Sequence, residues 1–170
     1  MLFRSAGGEP DDGYIEVGPN VAANGSFEEG LTGWLTHNQG DYEPWAGKAD
    51  IAVVDGAVQA KVTQPGRDWW HIQLYQEPVT LEAGTYKIAF RVKSEQPRSI
   101  SVELTGSGAP RRNVTADGAM KTVETIVDVA QGGAFKLLIG LGRDNGAAEP
   151  PVPYTITIDD IRLVRVERNA

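Results

Sequence analysis

The chain has 170 residues, 41% of them hydrophobic and 23% charged, with a formal net charge of −7, which suits one domain with a sizeable core. That acidity argues against nucleic acid, whose phosphates call for a basic stripe, and against an anionic membrane surface. There is no cysteine, so disulfides, thiolate zinc sites and cysteine nucleophiles are excluded, and no apolar run is long enough to cross a bilayer as a helix.

The opening "MLFRSAGGEPDDG" lacks the apolar stretch of a signal peptide. Its Gly, Pro, Glu and Asp read as a flexible tail or linker, drawn here as residues 1–19, ahead of one domain over residues 20–168. In that domain the hydrophobic period is two almost throughout. Strands are predicted in turn at 34–38, 50–54, 58–63 and 70–76. "TYKIAFRV" follows, with Tyr86, Ile88, Phe90 and Val92 on one face, then "RSISVELT" with Ile100, Val102 and Leu104. The series continues with 123–129, "FKLLIGLG", "YTITIDD" and 161–166. Glycine, proline and Asp/Asn clusters punctuate these segments. About ten short strands, each with one hydrophobic face, predict an all-β antiparallel sandwich.

Catalytic motifs are scarce. His37 and His71 are the only histidines, so no zinc-enzyme spacing is possible. "GLGRDNG" has Asn145 where a dinucleotide loop needs its third glycine, and the following "AAEPPVP" cannot start a helix. It reads as a loop between strands. Asp159 and Asp160 are neighbours on a predicted strand and should face opposite ways, a poor pair for glycoside hydrolysis. One of them can still ligate a hard cation together with backbone carbonyls.

"DWWHIQLYQ" (68–76) is the densest aromatic and polar stretch. Burying it is costly unless every ring nitrogen and amide finds a partner. Alternation directs Ile72 and Leu74 to the core and His71, Gln73 and Tyr75 to the other face.

Together, "NGSFEEGLTGW", "DWWHIQLYQEPVTLEAGTYKIAFRVKSE" and "YTITIDDIRL" resemble the carbohydrate-binding modules of families 4 and 9, non-catalytic modules of secreted glycoside hydrolases. The likeness covers nearly all of the chain after about Asn20. It implies a jelly roll, galactose-binding-domain-like, with the ligand lying across one sheet. Aromatic planes cover the C–H faces of sugars there, and amides and guanidinium groups bond the hydroxyls. The positions so implied are Trp70 for stacking, Gln73 for bonding, and Trp69, His71 and Tyr75 beside them. Arg111 takes the place of a second aromatic, with Arg143 and His37 at the cleft edges. Gly140 and Ala89 stand where some relatives carry polar groups, and Ser101, Glu103 and Thr105 compensate if their strand shares the sheet. Tyr42 and Trp45 are candidates for one wall, while Phe27 and Trp34 are expected in the core. The resemblance further implies one structural calcium held by Ser26, Glu28, Gly56 and Asp159. It also implies an extracellular, monomeric module covalently linked to a catalytic domain, whose partner is a β-glucan or xylan. Two other readings stay open: a small jelly-roll hydrolase or lyase using Glu103 or Glu77, and a cell-surface protein-interaction or adhesion module.

Overall fold

The computed structural model describes residues 13–40, 46–144 and 147–168; Tyr42 and Trp45 lie outside them. Among the described residues there is no α-helix. Eleven strands run in chain order: β1 (Tyr14–Asn20), β2 (Leu35–Asn38), β3 (Gly47–Val54), β4 (Ala57–Pro65), β5 (Ile72–Leu81), β6 (Gly84–Ser94), β7 (Arg98–Thr105), β8 (Arg112–Ala116), β9 (Lys121–Val129), β10 (Gly133–Gly140) and β11 (Tyr154–Arg168). They form two antiparallel sheets. One has the order β3-β4-β11-β6-β9, with β1 added against β11; the other is β2-β5-β10-β7-β8. This is a β-sandwich of jelly-roll type.

The predicted alternation builds the core. Ile72 and Leu74 from β5, Ile100, Val102 and Leu104 from β7, and Leu137 and Ile139 from β10 meet Val58, Ile88, Val92, Ile156 and Ile158 of the other sheet. Each such buried side chain contributes about 1.5–3 kcal/mol. Phe27 and Trp34 are buried as expected, their ring centroids 5.5 Å apart, and the Trp34 indole donates to the Asn24 carbonyl.

Three details differ from the sequence reading. Residues 14–19, expected within a tail or linker, belong instead to a strand, Tyr14–Asn20, pairing with the end of β11. The segment 112–116 is a strand, β8, on the edge beyond β7. The two predicted strands at 154–160 and 161–166 are one, β11, interrupted by a bulge between Asp159 and Arg162. Asp160 is left-handed there, with φ of 51°, so the strict alternation assumed for the Asp159–Asp160 pair is broken.

Three polar residues of "DWWHIQLYQ", His71, Gln73 and Gln76, are buried and hydrogen-bonded. Gln76 makes a reciprocal pair with Ala23, accepting from its N–H and donating to its carbonyl, which ties the 21–34 loop to β5. His71 Nδ1 accepts from the backbone N–H groups of Arg67 and Asp68, and its Nε2 lies 3.4 Å from the Asp68 carboxylate.

A candidate glycan-binding face on the five-stranded sheet

The strand register sets the composition of the outer face of the β2-β5-β10-β7-β8 sheet. Directly opposed residues share a face. One row therefore runs His37, Gln73, Gly140, Ser101, Asn113, and the next runs Leu35, Tyr75, Leu138, Glu103. Lys136 and Thr105 form a third pair. Ser101, Glu103 and Thr105 thus do share the sheet with Gln73. Ala89 does not: it sits on β6 of the other sheet, opposite Glu124 and Arg162, so its small side chain leaves no gap in this face.

The turn entering β5 governs the first row. Residues Trp69–His71 form a single 3-10 turn, and the strand starts only at Ile72. His71 therefore does not follow the strand's alternation. It is 1% exposed and points into the turn, where it holds the 67–68 backbone. The expectation that His71 lines the cleft is corrected on that ground. Trp69 lies over β10, so close to Gly140 that a Cβ there would meet its ring at 2.4 Å. A Cβ on Gly142 would likewise meet the Asp68 carbonyl at 2.3 Å. The glycines of "GLG" thus leave room for the turn to lie on β10, and the turn is bonded there through Gly142 N–H to the Trp69 carbonyl.

Arg111 caps this arrangement. Its guanidinium carbon is 5.0 Å from the centroid of the Trp69 ring. Its Nη1 donates to Ser101 Oγ, Asn113 Oδ1 and Asp144 Oδ1, all within 3.0 Å, and Asn113 Nδ2 donates to the other Asp144 oxygen. Asn113 and Asp144 escaped the sequence reading; only their charge and amide complementarity to Arg111 signalled them. With Trp69 and Arg111 above it, Ser101 is 2% exposed.

Gln73 is also engaged. Its Nε2 donates to the Trp70 carbonyl, and its Oε1 accepts from the Lys136 ammonium. That ammonium lies 4.1 Å from the centroid of the Tyr75 ring, a cation–π contact. Trp70 differs from these. It is 39% exposed, and its ring stands perpendicular to that of His71 at 4.4 Å between centroids. The indole is thus held in place yet open to solvent. Leu35, 49% exposed, extends the apolar surface next to Tyr75. His37 is exposed across from Gln73, its Nε2 3.1 Å from Gln39 Oε1. Arg143 follows β10, half-buried, with its N–H on the Pro65 carbonyl and a buried Nε that has no hydrogen-bond partner among the described residues.

A buried network fixes the loop that carries Arg143 and Asp144. Arg98 donates to Glu149, to the Tyr154 hydroxyl at 2.6 Å and to the Gly142 carbonyl at 2.6 Å, while the Tyr154 hydroxyl donates to Glu149. Burial is the main reason the Tyr154 phenol is pushed far above its usual range, with Arg98 opposing.

The residues implied for calcium come from segments that meet at the β11 bulge. Val58 pairs with Ile158, which brings the Asp55–Gly56 turn alongside Asp159. Ile161 N–H donates to the Gly25 carbonyl, which brings Ser26 beside the bulge. Ser26 and Glu28 are exposed. Burial, opposed by the Asp160 N–H, pushes the Asp159 carboxyl upward. A carboxylate partly withdrawn from water next to backbone carbonyls fits the oxygen chemistry of a hard cation. Among the described residues no cluster of three or more His, Asp or Glu is suited to a metal, so such a site would depend on carbonyls and water.

This combination, a jelly roll with a fixed exposed indole beside hydrogen-bonding side chains on one sheet, defines a sugar-binding class of β-sandwich. The carbohydrate binding domain of families 4 and 9 matches residues 19–139, and the chain belongs to that family. The fold is shared with a solved structure described as "CBM4 structure and function", at 24% identity and a TM-score of 0.71, covering 85% of this chain and 99% of that one. It is shared also with TmCBM61 in complex with β-1,4-galactotriose (21% identity, TM-score 0.56, 86% and 98% covered). A third is the CBM22-1 xylan-binding domain of Paenibacillus barcinonensis Xyn10C (18% identity, TM-score 0.53, 92% and 99% covered). Comparison with curated protein sequences gave no match.

Proposed function

We propose that the chain is a non-catalytic module that binds a β-linked polysaccharide, a β-1,3/β-1,4-glucan or a xylan, and holds an attached hydrolase at it. The observation that carries this reading is Trp70. A large aromatic side chain, exposed yet fixed by a buried histidine, is what a pyranose C–H face needs for stacking. Beside it, Gln73, Lys136 and the rim groups His37 and Arg143 offer donors and acceptors for hydroxyls, with Tyr75 below. Trp69 and Arg111 act as a pre-set support, since each covers the other and Arg111 Nη1 is already bonded. Such a surface orders few groups on binding, which lowers the entropic cost of association. Binding of this kind needs no nucleophile and no proton transfer. The xylan-binding and galactotriose-bound neighbours support a β-linked chain as ligand.

Calcium would be held by the Asp159 carboxylate and carbonyl and by the carbonyls of Ser26 and Gly56, with Glu28 as a further oxygen donor. It would pin the first turn to β11 and leave the sugar untouched. A monomer outside the cell, where structural polysaccharides lie, completes the reading.

The test is affinity electrophoresis against xylan, laminarin and barley glucan, with reducing ends assayed in parallel. Retardation by at least one glycan without new reducing ends is expected. If no glycan slows the protein, the binding assignment fails in favour of an adhesion module. If new ends appear and are abolished by Glu103→Gln or Glu77→Gln, the module is an enzyme.

A further inference from the structure

We infer that the glycan taken by this face carries a carboxylate, so that the ligand is a uronate-bearing chain with Lys136 as its counter-ion. The inference rests on the sheet face proposed above as the glycan site. Lys136 projects from β10 onto the outer face, half-buried. Its ammonium has a fixed position, between Gln73 Oε1 at 3.0 Å and the Tyr75 ring at 4.1 Å. Neither contact neutralises it, because an amide oxygen and a ring face carry no net charge.

Several other buried or half-buried cations have a carboxylate partner, Arg143 at the end of β10 being an exception. Arg111 is paired with Asp144 at 3.0 Å, Arg98 with Glu149, and Lys87 with both Glu16 and Glu124. Lys136 has no ion pair among the described residues. Glu103, on the neighbouring strand, accepts from Thr105 instead. A positive charge held partly out of water without a partner is costly, and an anion arriving with the ligand removes that cost. The ammonium has three protons and gives one to Gln73, so donors remain for a carboxylate.

Position favours the same ligand. Gln73 bonds the Trp70 carbonyl with one end of its amide and Lys136 with the other. The ammonium is thus linked through one side chain to the turn that bears Trp70. The net charge of −7 does not oppose this, because charges beyond about 8 Å are screened at physiological salt.

The experiment compares glucuronoxylan with its carboxyl-reduced counterpart by affinity electrophoresis, using wild type, Lys136→Gln and Lys136→Arg at low and high salt. Wild type should bind the uronate form roughly three- to tenfold more tightly, and the preference should shrink in high salt. Lys136→Gln should bind the uronate and reduced forms equally, both somewhat more weakly than wild type binds the reduced form; Lys136→Arg should retain the preference. Equal binding of both forms by wild type overturns the inference and leaves the glycan site standing, as does a preference that survives Lys136→Gln. If none of these glycans and no neutral glucan binds, the site itself fails and the inference with it.

Discussion

Replacing Gly140 by alanine tests how the binding face is built. The added Cβ would lie 2.4 Å from the Trp69 ring and 2.9 Å from the Trp69 carbonyl. Ordinary contact begins near 3.4 Å, so the ring has to move by about 1 Å. It cannot move freely, because Arg111 is stacked on it and is bonded in turn to Ser101, Asn113 and Asp144. Overpacking of this kind costs about 1–3 kcal/mol. Alanine returns roughly 0.5–1 kcal/mol through the loss of glycine's backbone freedom, leaving a net destabilisation centred on about 1 kcal/mol within a range of roughly 0–2.5 kcal/mol. For a chain of this size the central value lowers Tm by roughly 2–4 °C. Thermal unfolding gives the stability. A shift in tryptophan fluorescence and weaker glycan binding should accompany it, since the same displacement disturbs the turn bearing Trp70. A Gly140→Ala protein as stable as wild type, with unchanged binding, would refute the account of Trp69 as a support seated on β10.

Arg98→Met should destabilise the fold by about 3–5 kcal/mol in urea titration, because Glu149 is left buried without its cation; a loss below about 1 kcal/mol contradicts the role given to this network. Burial raises the Asp159 carboxyl in the folded state. In chelator, this group therefore costs stability as pH rises out of the ordinary carboxylate range, where the unfolded chain ionises first. Asp159→Asn should accordingly be at least as stable as wild type at neutral pH without calcium. Calcium should raise the Tm of wild type and leave that of Asp159→Asn unchanged; equal responses of the two proteins would remove Asp159 from the site.

The core strands were legible because both sheets bury one face and leave the other polar, so period two survives in the sequence from Trp34 to Val166. β1 and β8 were not. "YIEVGPN" carries a glycine and a proline and buries neither face fully, and "RNVTA" is short, at a sheet edge. Neither offers a hydrophobic alternation to read. The orientation of Gln73 and Tyr75 followed from Ile72 and Leu74, but the same rule failed at His71. There the chain is still in a turn, for which Pro65, Gly66 and Asp68 are the sequence signals. Gly140 looked like a lost hydrogen-bonding group; its meaning lay in the residue above it, which no local pattern reveals. Arg111 was found by position, whereas its partners Asn113 and Asp144 come from another strand and a distant loop and depend on the register of β7 with β8 and β10.

The central claim is that Trp70 is the stacking ring of a polysaccharide site. Trp70→Ala should bind the retarding glycan about tenfold more weakly or worse, a loss of ~1.4 kcal/mol or more, while unfolding within about 1 kcal/mol of wild type. Undiminished binding by a folded Trp70→Ala protein would contradict the account.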